Sequence, residues 1–246
     1  MSTIPSRIDF ILPAIRSLFD QTLPPARVIL AVPPYSRREN RPYRIPAKLQ
    51  GLDGLAIVPA ERDWGPATKI LAALSLHHDS PDQPLVFVDD DNIYPRTFLE
   101  TLARHADRHP DAAIALRGWR VPDSLRFKDA EMVFGSAIRA PRRVDVVTGC
   151  GGVLVRPRFF DAAVFAVGDR PHAFFTDDVW LSGHLARRGV PAYVVPLDEG
   201  HVYINALTTW VGRALDREEN RDGLHDDAVM RDFLGDWPSR ASRASG

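Results

Sequence analysis

Along the chain, short apolar runs rich in Val, Ile and Leu alternate with segments whose apolar residues recur every three or four positions. The first kind reads as buried strand and the second as amphipathic helix. Ile8, Ile11, Leu12, Ile15, Leu18 and Phe19 fall on one helical face behind Ser6, a residue suited to an N-cap. Pro13 inside that pattern predicts a kink or a late helix start. Strands are expected at 28–32, closed by Pro33-Pro34, and at 55–58. Gly65-Pro66 opens a helix that reaches Leu76, with Ile70, Leu71 and Leu74 as its buried stripe. Residues 85–88 are wholly apolar, as suits a parallel strand covered on both faces. Pro95 sits where a first helical turn tolerates it, and Phe98, Leu99, Leu102 and Ala106 continue that helix. A fourth strand is expected at 112–116.

This alternation predicts an α/β fold with a mostly parallel, doubly wound central sheet flanked by helices. The second half is less regular. Residues 144–147 and 153–155 read as strands around Gly149-Cys150-Gly151-Gly152. A helix is expected from Thr176 to near Gly189, then a short strand at 192–195. From 208 to 234 the pattern is helical and highly charged, and the small polar tail 239–246 reads as disordered. Residues 36–48 and 119–143 read as long loops, which in a compact domain are usually lids or disordered.

Composition narrows the class. The chain has 246 residues, 45% of them apolar and 26% charged, enough for a real core and against disorder over most of its length. One domain over 1–238 is the expectation. With 31 basic against 32 acidic residues, no chain-wide field draws it to nucleic acid. The single cysteine, Cys150, excludes an internal disulfide and suits a reducing, cytoplasmic compartment. No apolar run approaches the roughly 18–20 residues of a membrane span. Arg7 and Asp9 interrupt the place of a signal peptide. The arginine-rich loop at 36–48 leaves room for peripheral contact with the inner face of a membrane.

Four stretches carry candidate chemistry. Leu85-Val86-Phe87-Val88 runs into Asp89-Asp90-Asp91-Asn92, an apolar strand ending in three carboxylates. Like charges so close raise one another's pKa unless a cation joins them, and ligands of open α/β sheets bind beyond such strand ends. A hard divalent cation held by oxygen is one reading; an acidic strand-end turn is the other. Phe174-Phe175-Thr176-Asp177-Asp178 opens a helix, where acids are favoured by the dipole, with aromatics able to keep a basic carboxylate dry. Arg62-Asp63-Trp64-Gly65-Pro66-Ala67-Thr68-Lys69 puts Lys69 on a first helical turn, suited to a diphosphate but unlike a Walker A motif. Gly149-Cys150-Gly151-Gly152 permits either a close backbone approach or a tight turn. Among the histidines, His201 follows a strand and the turn-like Asp198-Glu199-Gly200; His105 and His109 read as solvated. No His–Asp pattern supports Cys150 as a nucleophile.

In order, TIPSRI, DWGPATK, VFVDDDN, TGCGGVLV and FFTDDVWLSGHL resemble a nucleotide-sugar glycosyltransferase of the GT-A fold, closest to the family 2 type, over residues 3–204. The resemblance implies a nucleotide-binding half over 1–116, an acceptor and catalytic half over 117–204, and a helical segment over 205–238. It implies that Asp89 contacts the donor's ribose, that Asp90 is the variable position, and that Asp91 ligates Mn²⁺ or Mg²⁺. Asp178 matches the acid that deprotonates the acceptor hydroxyl in inverting members, with Asp177 as runner-up. Thr3, Pro5, Arg7, Asp63 and Lys69 fall on the nucleotide-sugar side. Gly149 to Gly152 and Trp180 fall on the acceptor side, and His201 matches a late histidine ligand that would favour Mn²⁺. The donor so implied is a UDP-sugar, and the acceptor a glycan, lipid-linked or other hydroxyl. The family's apolar first strand is expected to be shortened or absent here, since only Met1-Ser2 precede Thr3, unless the chain starts further upstream. Two alternatives share the strand-end acids: a haloacid dehalogenase-type phosphohydrolase with Asp89 as nucleophile, and a non-catalytic sugar-nucleotide-binding module.

Overall fold

Helix α1 spans Leu12–Phe19, the late start that Pro13 predicts, with Pro13 in its first turn. Ser6 does not cap it. Its N–H and hydroxyl both donate to the Glu39 carboxylate instead, and residues 5–10 are turns. The computed structural model describes residues 1–197, 204–205 and 220–238. Strand β1 (Val28–Val32) is followed by a small hairpin, β2 (Tyr35–Ser36) and β3 (Arg41–Pro42), by the one-turn helix α2 (Ala47–Gln50), and by β4 (Leu55–Pro59). The stretch expected as a free loop at 36–48 therefore carries regular structure. β1 and β4 pair in parallel, from Val28↔Leu55 to Val32↔Pro59. The first residues lie along β1. Ser2 bridges Ala31 in parallel, the Met1 carbonyl accepts from Ala31 N–H at 2.9 Å, and the Met1 amine donates to the Ile29 carbonyl at 2.8 Å.

Helix α3 (Thr68–Leu76), β5 (Leu85–Phe87), β6 (Asn92–Ile93) and α4 (Phe98–Arg108) follow. Then come β7 (Ala113–Ala115), β8 (Arg117–Arg120), β9 (Glu131–Phe134), β10 (Arg142–Val144), β11 (Val146–Val147) and β12 (Val153–Val155). Helix α5 (Asp177–Arg187), β13 (Ala192–Val194), β14 (Ile204–Asn205) and α6 (Leu224–Asp232) complete the described chain. The central sheet has the order β10-β13-β7-β12-β5. Only β13 and β7 are parallel; the other neighbours, including β12 against β5, run antiparallel. The α/β class holds, but the mostly parallel, doubly wound sheet gives way to a mixed one. An apolar run three residues long reports that both faces are covered and says nothing of its neighbour's direction.

The expected loop at 119–143 is largely a β-meander, with β9 and β11 antiparallel to β8 on either side. The single strand expected at 144–147 is divided at Asp145 between the two sheets. Asp145 N–H donates to the Trp119 carbonyl at 3.0 Å, and its carboxylate accepts Val121 N–H at 2.9 Å. His105 is buried rather than solvated, because it shares the α4 face of Phe98, Leu102 and Ala106. Of the helix expected at 208–234, the structure describes α6. Residues 206–219, His201 and the tail 239–246 lie outside the described residues.

Two apolar clusters hold these layers. One gathers Ile11, Ile15, Leu30, Phe98, Leu102 and Ile114. The other gathers Leu71, Phe87, Trp119, Val146, Trp180 and Phe233. Among the described residues, no helix is long and apolar enough to cross a membrane.

Candidate functional site

Strand β5 stops where its apolar run does, and Asp89, Asp90 and Asp91 turn into a cleft of about 510 Å³. Two cations serve the three acids. Asp89 takes the Lys69 ammonium at 2.5 Å. Asp90 accepts the Thr3 hydroxyl at 2.6 Å and pairs with Arg7 at 3.2 Å. Asp91 lies 3.5 Å from the same guanidinium and accepts the Asn92 amide at 3.3 Å. Thr3 is brought there by the first residues beside β1, and its carbonyl accepts the Tyr43 hydroxyl at 2.8 Å.

Lys69 stands on the first turn of α3, its side chain only 5% exposed, and also pairs with Asp177 at 2.8 Å. Burial opposes its charge. The carboxylates of Asp177, Asp89 and Asp178 outweigh that and hold the amine's pKa well above the usual lysine value. Asp178 follows on α5 and accepts Gly149 N–H at 2.9 Å. Burial and the neighbouring Asp177 charge push its carboxyl well above the usual range, against the pull of Lys69 and that N–H. A half-buried carboxylate of raised pKa at a cleft is suited to take a proton. The two acidic motifs, 86 positions apart in sequence (Asp91 to Asp177), thus meet through one lysine.

Gly149 explains itself by close approach: a β-carbon there would lie 2.5 Å from Lys69 Nζ and 3.0 Å from Asp89 Oδ1. Gly152 has φ +71°, so the turn reading holds for the same tetrapeptide. Gly151 is equally crowded, against Arg117. Cys150 lines the cleft, but burial pushes its thiol up to about 11, and Arg117 donates to its sulfur at 3.2 Å. A thiol so protonated is a poor nucleophile.

Other expected residues stand elsewhere or have other duties. Trp180 is 4% exposed, donates its indole N–H to the Val164 carbonyl at 2.8 Å and packs on Phe233; it belongs to the core, away from the cleft. Pro5 lies in the turn before α1 and does not line the cleft. Asp63 does line it, with its oxygens accepting Gly65 N–H at 2.8 Å and Arg37 N–H at 2.7 Å. Thr176 occupies the N-cap position of α5 without capping it; its hydroxyl donates to Asp226 instead.

Of the far wall of the cleft, the sequence marks only Phe175, beside the acid pair. Trp119, Phe127, Phe175, Asn220 and Asp226 all line it. Asp226 carried a usable signal, since His225-Asp226-Asp227 at the start of α6 repeats the acid pair that opens α5. Trp119 and Phe127 carry none, because few periodic apolar positions mark their stretch.

The donor chemistry fits a hard cation only in part. Asp91 faces the cleft with its side chain 24% exposed. Burial and the charges of Asp89 and Asp90 raise its carboxyl to about 7, against the pull of Arg7 and Lys69. Among the described residues, no group of three or more His, Cys, Asp or Glu side chains could hold a metal ion by itself. One or two carboxylates completed by phosphate oxygens is a coordination that Mg²⁺ commonly adopts.

No protein-family model matches the chain. No curated protein matches it either. Among solved structures, it is similar to the crystal structure of an apo UDP-glucose pyrophosphorylase, at 10% identity and a TM-score of 0.43 over 94% of this chain and 92% of that one. At that level the likeness assigns no activity.

Proposed function

We propose that this chain is a metal-dependent glycosyltransferase of the GT-A, family 2 type, moving a sugar from a UDP-sugar to a hydroxyl acceptor with inversion. The observation that carries the reading is the meeting of Asp89–Asp91 and Asp177-Asp178 across one cleft through Lys69. Charge for a phosphorylated donor and a dry carboxylate base for an acceptor then stand side by side.

In this reading Thr3, Arg7 and Asp63 orient the nucleotide, and Asp89 takes the ribose. Asp91, with Asp89 beside it, would hold a divalent cation (Mn²⁺ or Mg²⁺), whose chemistry is to neutralise charge on the departing diphosphate. Asp178 accepts the acceptor's hydroxyl proton as the oxygen bonds to the anomeric carbon. The bond from that carbon to the diphosphate oxygen breaks, and the electron pair leaves with the diphosphate. Gly149 N–H keeps Asp178 in place for this, while Lys69 pairs with the neighbouring Asp177 and Asp89.

Thermal-shift screening of nucleoside diphosphates and their sugars, each with and without Mn²⁺, tests the proposal, because a ligand of the folded state raises the melting temperature. A uridine nucleotide should raise it, and more so with Mn²⁺. If no nucleoside diphosphate does, the reading falls. UDP binding with neither transfer nor donor hydrolysis would point to a non-catalytic binding module.

A further inference from the structure

The far wall of the cleft joins apolar rings to a polar pair. Asp226 accepts the Thr176 hydroxyl and, at 3.0 Å, the Asn220 side-chain amide. Asn220 in turn accepts His225 N–H at 2.9 Å through its own amide oxygen. Among the described residues, each of these oxygens keeps a second lone pair, and the Asn220 nitrogen a second hydrogen. The pair therefore presents donors and acceptors side by side on a fixed base, the pattern that neighbouring hydroxyls match.

The rings converge on the same segment. Phe127 N–H donates to the Asp227 carboxylate at 2.6 Å, and a β-carbon on Gly223 would lie 2.5 Å from the Phe127 side chain. Phe175 stacks on His225 with ring centroids 4.7 Å apart. Trp119 meets Phe127 edge-on at 5.4 Å. Thr176, the hydroxyl bound to Asp226, stands two positions before Asp178. The segment 220–227 thus ties the β8–β9 hairpin to the start of α5, beside the base.

We infer that this wall is an acceptor subsite for a saccharide, whose ring lies against Phe127 and Phe175 while two adjacent hydroxyls bond to Asn220 and Asp226. The inference rests on the glycosyltransferase reading of the cleft. A fatty alcohol would cover the pair without meeting its remaining donor and acceptor capacity, which costs binding free energy. A pyranose satisfies it and offers an apolar C–H face to the rings.

Saturation-transfer NMR on the full chain, with and without UDP and Mn²⁺, tests it. The probes are methyl glucoside, methyl galactoside and methyl N-acetylglucosaminide, with octanol and N-acetylserinamide as the lipid-type and peptide-type acceptors. At least one glycoside should receive saturation, and Asn220→Ala and Phe127→Ala should each weaken it about fivefold, the effect of losing one hydrogen bond or one ring contact. Asn220→Ala should leave the UDP-induced thermal shift unchanged. If UDP binds and no glycoside does, or if octanol or the serinamide is saturated in their place, the saccharide subsite is overturned while the donor reading stands. If glycosides bind but no nucleotide does, the donor reading falls and the subsite stands. Glycoside binding unaltered in both variants overturns this placement of the subsite.

Discussion

The Lys69 ammonium lies 2.8 Å from the Asp177 carboxylate and so ties the first turn of α3 to the first turn of α5. The same ammonium holds Asp89 at 2.5 Å. One buried cation therefore keeps the two acidic motifs together without a ligand. Lys69→Met leaves Asp177 and Asp89 as uncompensated like charges, and breaking a buried pair in this way costs about 3–5 kcal/mol. Urea denaturation should show that loss, and Lys69→Met with Asp177→Asn should recover part of it. A single variant as stable as the parent would remove Lys69 from the architecture of the site.

Asp178→Asn keeps the shape of the side chain and removes its basicity. Turnover should fall by about 10²–10⁴-fold, the usual contribution of a general base. Donor affinity, read by calorimetry, should change little. Normal turnover would place the base elsewhere.

Asp91→Ala removes the strand-end carboxylate assigned to the cation. Calorimetric titration with UDP should then give the same affinity with and without Mn²⁺, whereas the parent binds more tightly with the metal. An undiminished metal effect in the variant would take the cation away from Asp91.

Gly65 has φ +64°, and a β-carbon there would sit 2.2 Å from the Phe174 carbonyl oxygen. Both the left-handed backbone and the contact with main chain oppose any side chain. Gly65→Ala should destabilise the fold by about 2 kcal/mol or more, measured by urea denaturation. It should also disturb Asp63, which accepts Gly65 N–H.

His184 is buried between Trp180 and Phe233, with ring centroids 4.6 and 5.2 Å away, and neither of its ring nitrogens has a hydrogen-bond partner among the described residues. Burial, helped by the Arg187 charge and opposed by Asp161 and Asp236, lowers its pKa to about 4 from the usual 6.5. Between those values the unfolded chain binds more protons than the folded one, so this contribution is complete above pH 6.5 and is lost as pH falls towards 4. The urea midpoint should drop over that window, and less steeply in His184→Leu. An equal slope in both proteins would show that other groups govern acid sensitivity.

Much of the near wall was legible from the chain alone. The apolar run 85–88 marked where three acids would emerge, and the Gly65-Pro66 break located Lys69 on a helical turn. Periodicity located α4 because Phe98, Leu102 and Ala106 repeat at helical spacing. Strand direction was not legible, since Val153–Val155 would look the same whether β5 ran with it or against it. Nor were the partners of the acids, because Arg7, Lys69 and Asp89 come together only when the sheet is assembled. Trp180 misled for a related reason. An aromatic beside an acid pair on a helix points away from it by 100° per residue, here into the core.

Phe233 sets a practical limit for anyone shortening this protein. Its ring occupies the space over Gly183 on α5, where a β-carbon would come within 2.3 Å, and it is 1% exposed. Deleting the chain from this point would leave a phenyl-sized hole behind the helix that bears Asp178, a loss of about 3–5 kcal/mol for a buried phenylalanine. A trimmed version ending near residue 230 would keep every acid of the cleft and still present them on a loosened support.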